Sequence, residues 1–363
     1  MSHMQSDKPD LKRSEVSTHQ AIFTPHIWQD GLVKIEPLAQ GHGQSDHQPA
    51  LPLLIQPVAE GIDLLAWASN NRQLLEQYLL KHGGILFRNF ALRGTGSSAS
   101  VADFEEFITR VSEKPLEYSE RSSPRSQVSG NIYTSTDYPA KQSIFLHNEN
   151  SYRKNWPLHI FFFCQQPAQQ GGETPIADTR KIYEQIDPAI RERFRQKQVL
   201  YVRNFGDGIG LSWETVFQTT DKKVVEQYCR QSGIEWEWRS RNRLRTRAVR
   251  PAIINHPTSG EPLWFNHLTF FHVTTLEPKI RNALLAAFKE EDLPTNTYYG
   301  DGTPIEDAVL EELRQAYASE TVVFPWQQGD ILMLDNMLAA HGRRPFVGPR
   351  QILAGMSRLT ERT

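Results

Sequence analysis

Apolar positions in this chain recur with two spacings, and the spacing switches along its length. Over residues 62–80, Leu64, Leu65, Trp67, Leu74, Leu75, Tyr78 and Leu79 share one face of a 3.6-residue period, and Gly83-Gly84 closes the run. That spacing predicts a helix. Ile85-Leu86-Phe87 follows as a short buried strand, and Val101–Val111 as a second helix. The aromatic-rich segments 143–147 and 158–164 predict strands between turn residues. Helical spacing returns over 178–196, 221–231, 278–290 and 305–318, and strand-like runs close the chain at 321–324, 330–334 and 351–356. Strands at 140–205 and 320–358, separated by a mixed insert at about 206–320, predict a closed or sandwiched β core with a long connection. Residues 1–20 are polar and predict a disordered tail, and 40–50 a flexible loop, so a single domain is expected over 21–363.

Composition fits that outline. With 363 residues, 39 % of them hydrophobic and 10 % aromatic, the chain can bury a sizeable core. No apolar run approaches the roughly 18–20 residues of a membrane helix. Met1-Ser2-His3-Met4 reads as a remnant of tag removal, and the polar start gives no expectation of a secretory signal. Cys164 and Cys229 form no disulfide framework, so a reducing cytoplasm is the expected setting. A formal charge of −2 argues against nucleic acid as a partner. Locally, Arg239, Arg241, Arg243, Arg245 and Arg247 recur every second residue and would share one face of a strand. Such a face is either a solvated edge that discourages strand pairing, or a positive surface for a carboxylate substrate or a carrier protein's phosphopantetheine. Arg247 is the candidate substrate residue among them.

Candidate chemistry centres on Phe145-Leu146-His147-Asn148-Glu149. On a strand, His147 and Glu149 would face the same way, and an imidazole and a carboxylate together can hold a divalent ion. Twelve histidines and 42 acids among 363 residues give roughly 1.4 His-x-acid pairs by chance. On spacing alone, a strand histidine beside a surface acid is the stronger reading. The C-terminal segment alters the balance: Gly329 to Asn336 ends a strand in Asp-Asn, His341 arrives before Gly342, and Arg350 opens the next strand. A second histidine from there completes a two-histidine, one-carboxylate face with three open positions. The guanidinium fork of Arg350 suits a distal carboxylate, and the Thr174 hydroxyl, in Gly171-Gly172-Glu173-Thr174-Pro175, could join it. Arg350 as a surface residue after a turn is the alternative. Ser143 is a candidate pocket residue, and Asn266 either binds polar substrate groups or caps a loop. His267 and His272 compete with His341 for the third ligand position. His82, His159 and His256 read as core or loop histidines, and His42 and His47 as solvated.

Beyond these motifs, the chain resembles the taurine dioxygenase-like family of iron(II)/2-oxoglutarate oxygenases over nearly all of 50–360. The likeness is strongest to the branch typified by the syringomycin-pathway aspartyl hydroxylase. It is carried by His147-Asn148-Glu149, Gly171 through Pro175, Leu244-Arg245-Thr246-Arg247, Trp264-Phe265-Asn266, Tyr299-Gly300-Asp301-Gly302, and Trp326 through Arg350. The resemblance implies a double-stranded β-helix, or jelly roll, with helices outside. It implies iron(II) held by His147, Glu149 and His341, 2-oxoglutarate held by Thr174 and Arg350, and dioxygen as the other cosubstrate. Many relatives carry Asp where this chain has Glu149; a carboxylate there argues against the related halogenases. The implied activity is hydroxylation of an amino-acid-like small molecule, free or tethered to a peptide-synthetase carrier protein, in specialised-metabolite biosynthesis. A catabolic oxygenase of a small sulfonate or carboxylate, a desaturase or epoxidase, and a jelly roll that binds without turnover are the competing expectations.

Overall fold

The longest apolar run becomes the middle of the molecule. Strand Asn155–Gln166 runs antiparallel between Ile331–Asp335 and Gln351–Glu361. Successive side chains of a strand point to opposite faces. Phe161 and Phe163 therefore pack with Trp67, Leu75, Phe104 and Phe107 from helices Leu64–Asn70, Arg72–His82 and Val101–Val111. Ile160, Phe162 and Cys164 point the other way, into a cluster with Ile176 and Ala339 of a second sheet. Burial on both faces is why this stretch reads as a continuous apolar run instead of an alternating one.

In this computed structural model, the residues described are 25–38, 51–92 and 99–362, apart from 119, 121–124, 136, 137, 207 and 209. The tail expected at 1–20 and the loop expected at 40–50, with His42 and His47, lie outside them. The outer sheet has nine strands, in the spatial order His26–Ile27, Val33–Pro37, Leu53–Pro57, Gly84–Phe87, Ile331–Asp335, Asn155–Gln166, Gln351–Glu361, Ile132–Thr134 and Gln127–Ser129. The inner sheet has three: Ile176–Asp178, Ala339–Arg343 and Ile144–His147. The two sheets enclose one core, as in the jelly roll that the resemblance implied. Among the described residues, no helix is long and apolar enough to cross a membrane.

Several local expectations are revised. The helix expected over 62–80 is two helices meeting at Asn71, and that over 178–196 breaks at Asp187-Pro188, where Asp187 caps the second helix through the Ala189 amide. Proline fits only the first turn of a helix, so it starts a new one. Residues 321–324 form no strand; Val322 makes a single bridge to Ile176. Val199–Phe205, grouped by sequence with the core strands, pairs with Arg243–Arg250 and Thr295–Tyr299 of the insert. Apolar alternation marks a buried strand without saying which sheet buries it. The five arginines do not share one strand either. They occupy a hairpin, Glu235–Arg239 against Arg243–Arg250, that turns through Arg241 and Asn242 at positive φ. Arg239 and Arg245 both hold Asp292.

Candidate active site

Strand register makes the first contact. In the inner sheet His341 lies opposite His147, and their ring centroids are 4.6 Å apart. The pairing shifts between His341 and Arg343, and Gly342 permits the close approach: a Cβ there would sit 2.6 Å from the Ile144 carbonyl oxygen.

Glu149 arrives differently from the expectation. Its strand ends at His147, so alternation along a strand does not aim the carboxylate. Asn336 does the work instead. It accepts from the Glu149 amide at 2.7 Å and donates to the Glu149 and Pro157 carbonyls at 2.9 and 2.8 Å. Asn148 returns a bond to the Asn336 carbonyl at 2.6 Å. The asparagine of the Asp-Asn pair noted in the sequence is therefore the clamp that sets the acid's backbone.

The result is a compact donor set. One ligand atom each from His147, Glu149 and His341 lies within 4.8 Å of the others, and all three residues are buried. His147 donates through Nδ1 to the Phe145 carbonyl at 2.9 Å, which leaves the Nε2 lone pair free. Burial holds both imidazoles below their ordinary pKa, His341 well below, so both are neutral near pH 7. Glu149 Oε2 accepts from Arg125 at 2.5 Å, while Glu149 Oε1 and His341 Nδ1 are buried without a hydrogen-bond partner. Leaving a buried polar atom unsatisfied costs about 1–3 kcal/mol. A divalent cation among two imidazoles and a carboxylate oxygen is what this donor set fits.

Thr174 and Arg350 line the same cavity as His147 and His341, together with Phe162 and Arg125. The Trp326 indole donates to the Thr174 hydroxyl at 3.1 Å, so that hydroxyl keeps its own proton to give. Arg350 donates to the Gly172 carbonyl at 2.8 Å and the Ser135 hydroxyl at 3.1 Å, and among the described residues it forms no ion pair. Burial, reinforced by the neighbouring Arg343 cation, pushes its pKa down to about 10. Gly171 and Gly172 both take positive φ, and a Cβ on Gly172 would meet Arg350 Cδ at 3.0 Å. A guanidinium fork beside a hydroxyl donor is the chemistry that suits a carboxylate.

The other sequence candidates lie elsewhere or are occupied. Ser143 is exposed just ahead of its strand, and Arg247 is exposed on the insert sheet opposite Glu235. Asn266 is buried, but it donates to the Ala252 carbonyl and accepts from the Leu268 amide, both at 3.0 Å, as a cap. His267 stacks edge-on at 5.3 Å from the His147 ring with Nδ1 at 3.1 Å from the Asn148 carbonyl, outside the donor set. His272 caps a short helix through Thr274. His159 bonds Ser112, and His256 pairs with Asp335. Arg125, Ser135, Trp326 and the role of Asn336 are what sequence reasoning missed. Only Asn336 left a signal, in its place after the buried strand.

Residues 46–357 match the family described as "Taurine catabolism dioxygenase TauD, TfdA family". The chain belongs to this family. Among its relatives, the dapdiamide synthesis protein DdaC of Enterobacter agglomerans is 41 % identical over 278 residues, covering 77 % of this chain and 83 % of DdaC. A clavaminate synthase-like protein of Arabidopsis thaliana is 28 % identical over 323 residues, 84 % and 93 % of the two chains. The fold is similar to that of PvcB from Pseudomonas aeruginosa, described as an Fe, alpha-ketoglutarate dependent oxygenase, with a TM-score of 0.52 at 16 % identity over 89 % of this chain and 90 % of PvcB. This TauD/TfdA member is an iron(II)- and 2-oxoglutarate-dependent dioxygenase.

Proposed function

We propose that His147, Glu149 and His341 hold the iron, that Thr174 and Arg350 hold the far carboxylate of 2-oxoglutarate, and that the enzyme hydroxylates an unactivated C–H bond of an amino acid or amino-acid derivative in specialised-metabolite biosynthesis. The observation that carries the site is one cavity with two members of the three-donor cluster, His147 and His341, and the Arg350 cation together on its wall. The substrate class rests on the 41 % identity to a protein named for dapdiamide synthesis.

Bound iron(II) supplies the oxidising power, using dioxygen and 2-oxoglutarate; the chain supplies place and shelter. His147 and His341 offer neutral nitrogens and Glu149 one free oxygen. Arg350 fixes the cosubstrate's remote end by a forked charge-assisted bond, and Thr174 adds a donated proton. Phe162, its ring tilted 60° to the His341 ring at 5.1 Å, keeps water from that side.

The test is succinate release from 2-oxoglutarate, in the presence of iron(II), with panels of free amino acids and of the same amino acids as carrier-protein thioesters. Release that depends on one of these substrates, with a product 16 mass units heavier, supports the proposal and distinguishes free from tethered substrate. Stimulation by small sulfonates alone would overturn the substrate class.

A further inference from the structure

Among the described residues, Arg125 is the cation bonded to the proposed acidic ligand. Its Nη2 donates to Glu149 Oε2 at 2.5 Å, with 3 % and 1 % of the two side chains exposed. Its guanidinium carbon lies 4.8 Å from the centre of the Tyr118 ring, which fixes the plane of the fork. The other Glu149 oxygen, Oε1, is buried. Asn336 holds the backbone of Glu149, and Arg125 holds one of its two side-chain oxygens, leaving the other without a hydrogen-bond partner.

We infer that Arg125 is a positioning residue that makes Glu149 a one-oxygen metal ligand. With Oε2 engaged, only Oε1 is left to a cation, and the positions a two-oxygen carboxylate would close remain open for cosubstrate and dioxygen. The inference rests on the ligand assignment proposed above, and Arg125 touches neither metal nor substrate in it.

The experiment titrates cobalt(II), in the absence of oxygen and 2-oxoglutarate, into the wild type and into Arg125→Ala, Arg125→Lys and Glu149→Ala, recording the visible absorption bands. Circular dichroism and the thermal midpoint of each metal-free protein establish folding. Arg125→Ala is expected to bind about 10- to 100-fold more weakly with shifted bands, and Arg125→Lys, which keeps the charge but not the fork, to fall between. If Arg125→Ala is unfolded, the lysine variant carries the test by the same band shift. Wild-type affinity and bands in a folded Arg125 variant, while Glu149→Ala loses the metal, would overturn the role of Arg125 alone. Wild-type binding by Glu149→Ala would instead overturn the ligand assignment.

Discussion

Arg350 brings its charge to the wall of the cavity, where a carbonyl and a hydroxyl accept from it and its guanidinium carbon lies 5.6 Å from the Phe346 ring centre. A buried cation without a counter-ion is costly, so the arginine is a standing demand for an anion. Hydrogen bonds to charged groups contribute about 1.5–3 kcal/mol. Arg350→Ala should therefore weaken 2-oxoglutarate binding to the manganese-loaded protein by roughly 10- to 150-fold, read by calorimetry. Lysine at this position should recover only part of the loss, because it lacks the fork. Thr174→Val removes a single neutral donor and should cost about 1 kcal/mol, or roughly fivefold in the same dissociation constant. Equal losses for Thr174→Val and Arg350→Ala would contradict this division of labour.

At the scale of elements, the site depends on how closely Ala339–Arg343 approaches Ile144–His147. A methyl group on Gly342 would press on the Ile144 backbone oxygen, which cannot swing aside as a side chain could. Overpacking of this kind costs about 1–3 kcal/mol. Gly342→Ala should lower the urea midpoint by a matching amount and separate the two histidines, so that iron uptake falls with stability; unchanged uptake would show that the register tolerates the methyl. Ile144–His147 was legible from its aromatic run, whereas Ala339–Arg343 read as a turn after the buried strand, and only His341 was singled out there, from its Asp-Asn-turn-His-Gly context. Thr174 and Arg350 were named from a hydroxyl and a guanidinium fork suited to a carboxylate, and both line the cavity with His147 and His341. Arg125 was not legible, since it follows Ser122-Ser123-Pro124 in a stretch without periodicity, and only tertiary packing brings it to Glu149. Asn266 misled for the opposite reason: an amide beside aromatics looks like a substrate contact until both of its polar atoms are found on backbone.

Across the whole molecule, burial of histidines sets how the fold responds to acid. Burial lowers His159 and His272 to about 4, and neither belongs to the donor cluster. An unfolded chain returns both to about 6.5. Between those values the unfolded state binds more protons than the folded one, so stability is intact above about pH 6.5 and falls as pH drops toward 4, then levels off for these two groups. At about 1.4 kcal/mol per pKa unit, each can remove up to about 3 kcal/mol over that window. Urea unfolding of the metal-free protein at pH 7 and pH 4.5 should show the loss, and His159→Asn, whose side chain does not protonate, should shrink it. Metal adds a second dependence in the same direction, because protons compete with the cation for His147 and His341. At a hundredfold excess over its dissociation constant the cation should stabilise the fold by about 2.7 kcal/mol, and that increment should fade on acidification while the His159 contribution to the metal-free baseline persists. A metal-induced increment that stayed constant from pH 7 to pH 4.5 would mean that the bound cation is not held by imidazoles.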